Sequence, residues 1–104
     1  MISEVTRHAR KRGKERMGLS LAAVERMADM ALMKGIKHSE TTGAFRKYLD
    51  RLFMADGKAN VAWIYAETIF LFYKETLITV LNLPKEYRLA VTKIKLRKAE
   101  GLAS

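Results

Sequence analysis

Val61-Ala62-Trp63-Ile64-Tyr65, Thr68-Ile69-Phe70-Leu71-Phe72-Tyr73 and Thr76-Leu77-Ile78-Thr79-Val80-Leu81 are three short runs rich in β-branched and aromatic residues. Ala66-Glu67 and Lys74-Glu75 separate them, each a two-residue joint. Runs of this length joined this tightly predict an antiparallel three-stranded meander. Neither joint is Asn-Gly or Asp-Gly, so the turn type stays open. Pro84 closes the last strand, since proline cannot donate to a sheet ladder. Trp63 and Tyr65 share one face by the period of two, as do Phe70 and Phe72. Such rings read first as core, and a strand-end tyrosine as a stacking partner for a base.

Upstream of the meander the pattern is helical. Val5, Ala9, Gly13 and Met17 recur every fourth residue, which predicts a helix over 6–17 with a narrow stripe of mostly small groups. Gly18 is its stop. Ser20 caps a second helix in which Leu21, Val24, Met27, Ala28, Ala31 and Leu32 form one apolar face, and Gly35 ends it. The two form a helical hairpin. Residues 36–43 read as a polar loop. Phe45, Tyr48, Leu49, Leu52 and Phe53 have helical spacing and predict a third helix over 44–54, and Asp56-Gly57 marks a turn. Residues 85–98 read as helical, or as extended with a basic face. The expectation is an α+β domain whose helices pack on one face of the meander. It takes 1–104 as one domain, with 5–82 as core and 85–104 as a basic tail or helix.

Charge is concentrated at the two ends. The chain of 104 residues carries a net +9, of which residues 1–17 hold six Lys/Arg against Glu4 and Glu15, or +4. Residues 84–104 hold six against Glu86 and Glu100, again +4, and the middle holds eight against seven, or +1. A near-neutral body with two basic ends points to a polyanionic partner, nucleic acid first and an acidic protein second. There is no cysteine, so no disulfide frame and no thiolate metal site. No signal peptide and no membrane span is read, and the expected location is the cytoplasm, with no membrane partner.

The run Arg7-His8-Ala9-Arg10-Lys11-Arg12-Gly13-Lys14-Glu15-Arg16 places six cations and a histidine in ten residues. His8, Arg12 and Arg16 lie at i, i+4 and i+8, along one helix face that borders the apolar stripe. RNA cleavage without a metal needs a base for the 2′-hydroxyl proton, an acid for the leaving 5′-oxygen and cations for the phosphorane. His8 suits the proton transfer, and Arg12 and Arg16 suit a forked phosphate clamp. The same three residues on a helix also make an ordinary solvated face. Arg7, Arg10, Lys11 and Lys14, with Lys93, Lys95, Arg97 and Lys98 at the other end, are candidate nucleic-acid-binding residues. His8 and His38 make no metal spacing, and neither metal nor cofactor is implied. Thr79 is a lone polar residue in an apolar run, either a plain strand threonine or a hydroxyl aimed at phosphate.

The start Thr6-Arg7-His8-Ala9-Arg10-Lys11-Arg12, a second helix, and a meander ending in Leu77-Ile78-Thr79-Val80 together resemble the BECR group of small ribonucleases. That group includes RelE-like and colicin-type toxins and related prokaryotic and phage domains. The resemblance spans about residues 5–82. It implies a helical part packed on an antiparallel sheet and metal-independent RNA cleavage by the first helix and last strands. Carried over residue by residue, His8, Arg12, Arg16 and Thr79 form the site, with Tyr65 as a looser match. Two readings follow: a toxin-like endoribonuclease, with an acidic antitoxin as partner, and a non-catalytic phage or mobile-element protein that binds nucleic acid or a host nucleoprotein complex.

Overall fold

The computed structural model describes residues 4–103. Its elements are β1 (Glu4–Val5), α1 (Arg7–Met17), α2 (Leu21–Lys34), β2 (Ile36–Lys37), α3 (Gly43–Asp56), β3 (Val61–Tyr65), β4 (Thr68–Tyr73), β5 (Thr76–Asn82) and α4 (Arg88–Ala103), with 3-10 turns at His38–Glu40 and Lys85–Tyr87. The protein is α+β, with four helices on a mixed sheet of five strands ordered β1-β5-β4-β3-β2.

The meander is the middle of this sheet, and two points of the expectation are corrected around it. First, the sheet has two further strands. β1 adds to β5 in parallel, Val5 opposite Leu77, and β2 adds to β3, Ile36 opposite Ile64. The segment read as a polar loop over 36–43 therefore opens as an edge strand and a 3-10 turn. Among the described residues both edge strands are two residues long, which limits exposed ladder. Second, the helices cover both faces. Ala9 of α1 and Val24, Ala28 and Ala31 of α2 pack with Phe70, Phe72, Leu77 and Val80. Phe45 and Leu49 of α3 and Val91 and Ile94 of α4 pack with Ile36, Ala62, Ile64, Ile69 and Leu71 on the opposite face. The physical reason lies in β4. Thr68, Ile69, Phe70, Leu71 and Phe72 are all buried in succession, so both pleat faces are apolar and both need cover.

The joints are tight because the backbone accepts strain. Ala66 and Glu67 take φ of 50° and 57°, the geometry of a two-residue turn with both central residues left-handed, and Lys74 takes 55°. The 85–98 segment resolves as the 3-10 turn followed by α4, whose Lys98 ammonium reaches the Gly35 carbonyl at 3.3 Å and Glu40 at 3.1 Å.

Candidate nucleic-acid interface

α1 is locked onto β5 by its N-cap residue, directly after the β1–β5 pairing. Thr6 is the N-cap: its Oγ1 accepts from the Ala9 N–H at 3.1 Å and donates to the Ile78 carbonyl at 2.9 Å. Ile78 has this carbonyl to offer because it is extra in the ladder. Leu77 pairs with Phe72 and Thr79 with Leu71, so Ile78 is bulged out between them. Further along, Arg16 Nη1 donates to the Val80 carbonyl at 2.8 Å. Small residues let the helix lie close. Ala9 is fully buried, and a Cβ on Gly13 would fall 2.6 Å from Val24 Cγ2.

The anchoring opens a hollow at the foot of the helix. Thr6, His8, Asp56, Lys58 and Ile78 line a cavity of about 320 Å³. Asp56 Oδ2 accepts the backbone N–H groups of Lys58 (3.1 Å) and Ala59 (2.9 Å), a side-chain turn that fixes where Lys58 leaves the chain. Lys58 and Ile78 also belong to a second hollow of about 330 Å³, completed by Gly57 and Tyr73. An imidazole, a carboxylate and an ammonium thus line one hollow, and a phenol ring lines the other.

The site residues read from the sequence separate into groups. His8 is exposed at the cavity. Arg12 donates to Glu15 Oε2 at 3.0 Å, and its Nε is buried with no partner among the described residues. Arg16 serves the Val80 carbonyl. Thr79 is buried opposite Leu71, on the sheet face that α3 and α4 cover. Tyr65 lies two strands away from β5, in a hollow with Lys34, Ile36 and Lys98. The structure therefore brings neither Thr79 nor Tyr65 to His8. Asp56 and Lys58, read from sequence only as part of a turn and its surroundings, are the cavity residues that sequence reasoning missed. The Asp56-Gly57 pair was the available signal, but which strand it folds against is set by a bulge no local pattern records.

Arg7, Arg10, Lys11 and Lys14 are exposed along α1, with Lys11 3.9 Å from Glu15. Lys93, Lys95 and Arg97 are exposed on α4, while Lys98 is engaged with Glu40. α1 packs on one face of the sheet beside β5, and α4 packs on the other and contacts β2 at the far edge. The two basic ends therefore diverge. On α3, beside Tyr87, burial pushes the Tyr48 phenol above its ordinary value of 10.0. Tyr87 and Glu86 push it the same way, and Arg51 and Arg16 oppose them. His38 hydrogen-bonds Asp50 at 2.6 Å and meets the edge of Phe53, a structural use.

No group of three or more His, Cys, Asp or Glu among the described residues is placed to hold a metal. No described helix is long and apolar enough to cross a membrane. Comparison with family models, curated proteins and solved structures finds no match.

Proposed function

We propose that the chain is an RNA-directed protein that holds the phosphate backbone along α1. The observation that carries this is the row of exposed cations Arg7, Arg10, Lys11 and Lys14 on a helix pinned at both ends to the sheet. A fixed row of cations binds a polyanion with less ordering cost than a loose tail. Affinity then falls with salt, each phosphate contact on a single strand contributing about 0.7 to the log–log slope. Titrating labelled RNA at several salt concentrations tests it. Lys11→Gln with Lys14→Gln should lower the slope by about 1.4, whereas Lys93→Gln with Lys95→Gln should leave α1-mediated binding intact. An unchanged slope in the α1 variant would sink the proposal.

A second reading, the metal-independent endoribonuclease, is favoured by the grouping of His8, Asp56 and Lys58 in one cavity. In it the 2′-oxygen attacks phosphorus, the bond to the 5′-oxygen breaks, and a 2′,3′-cyclic phosphate and a 5′-hydroxyl result. His8 takes the 2′-proton, Lys58 steadies the phosphorane, and solvent or a neighbouring acid protonates the leaving oxygen. Similarity to the BECR ribonucleases supports it at His8. Arg16 holds the Val80 carbonyl, Thr79 is buried on the sheet face away from α1, and Tyr65 is elsewhere. Incubation with bulk RNA in EDTA, followed by end-group analysis, decides. Cyclic phosphate formed by the wild type and lost in His8→Ala is the expected result, and no cleavage leaves the protein a binder. An acidic antitoxin or a host nucleoprotein complex fits either reading as a further partner.

A further inference from the structure

We infer that the hollow formed by Gly57, Lys58, Tyr73 and Ile78 receives an unstacked nucleobase, so that the protein selects single-stranded over duplex nucleic acid. This deepens the phosphate-backbone reading above and rests on it. The two hollows at the foot of α1 differ in chemistry and share a wall. The one at His8 counts an imidazole, a carboxylate and an ammonium among its lining groups. The one at Tyr73 is walled by an aromatic ring, an isoleucine and a glycine. Lys58 and Ile78 line both. A nucleotide has the same division: a charged phosphate and ribose, and a flat ring with a π-face.

Tyr73 stands out in its own right. It is 47% exposed, at the end of β4, one residue outside a run that is wholly buried. Lys74 Nζ sits over one face of its ring, 5.6 Å from the centroid, a cation–π contact that places a positive charge beside the aromatic wall. Gly57 also lines the hollow: with φ of +75° it is held in a conformation that side chains rarely adopt, and nothing lies within 4 Å of where its Cβ would be. Ile78, bulged from the β5 ladder, lines both hollows. In a duplex the bases are stacked on one another and offer no free face, so only single-stranded nucleic acid can use this wall.

The test uses a labelled 2′-O-methyl RNA ten-mer, which lacks the 2′-hydroxyl that cleavage requires, and its duplex, measured by fluorescence anisotropy with the full chain. The wild type should prefer the single strand. Tyr73→Ala should weaken single-strand binding about ten-fold and leave duplex binding unchanged, which also shows that the variant folds. Tyr73→Phe should behave as wild type, because the ring face and not the hydroxyl makes the contact. Independently, the Tyr73 ring resonances should shift on titration with a nucleoside 5′-monophosphate and not with ribose 5-phosphate. Equal single-strand affinity of wild type and Tyr73→Ala, or equal shifts with both small ligands, overturns the base pocket while backbone binding stands. Failure of the wild type to bind either RNA removes the backbone reading and this inference with it.

Discussion

Thr6 carries more of the site than any other single residue outside the sheet core. One hydroxyl caps α1 and ties it to the bulged Ile78 carbonyl. Thr6→Ala removes both bonds at once and should cost about 1–2 kcal/mol, a fall in melting temperature of roughly 4–8 °C per kcal/mol for a domain of this size. Thr6→Ser keeps both bonds and should restore most of the loss in a thermal melt. If Thr6→Ala melts with the wild type, the anchoring role is wrong. The cap could be inferred from a threonine ahead of a helical pattern, and the helix start at position 6 was read correctly to within a residue. The second bond could not, because its acceptor lies 72 positions along the chain and exists only through the β5 register slip.

Between elements, the closest fit is α1 against α2. The Gly13 stripe position was legible as a small residue at helical spacing, and the structure gives its partner as Val24. Gly13→Ala should improve helix propensity by about 1 kcal/mol but overpack against Val24 by about 1–3 kcal/mol, so the variant should be less stable in urea. In a Val24→Ala background the obstacle is gone, and Gly13→Ala should then stabilise. A double-mutant cycle with no coupling between the two positions would contradict this packing. The strands of the meander were legible for a different reason: their residue types and two-residue joints are local signals. The burial of every residue from Thr68 to Phe72 was also visible as a continuous apolar run, and such runs mark a sheet covered on both sides. Reading the helices onto one face overlooked it.

Across the whole molecule, Glu40 joins three parts of the chain. Burial pushes its carboxyl up, but the Lys37 N–H at 2.9 Å, the Lys98 ammonium and the charge of Lys37 outweigh it and hold it below its ordinary value of 4.5. A carboxylate whose folded pKa lies below its unfolded one adds stability above the unfolded value and loses it as pH falls through the folded one. Because Glu40 is 36% exposed, the effect should be below about 1 kcal/mol. Urea titrations of wild type and Glu40→Gln should differ at pH 7 and converge below pH 4.5; a difference that persists in acid would refute the assignment. Lys98, the partner of Glu40, also donates to the Gly35 carbonyl, from a helix that Val91 and Ile94 pack onto the face opposite α1. The sequence by itself determined the helices α1, α2 and α3, the strands of the meander and the concentration of charge at both ends, because periodicity, caps and composition act within a few residues. Tertiary structure alone decided which cations share a surface and which side chains line the His8 cavity. The β5 bulge and the pairing of β1 with β5 frame that cavity, and both arise from pairings between segments remote in the chain.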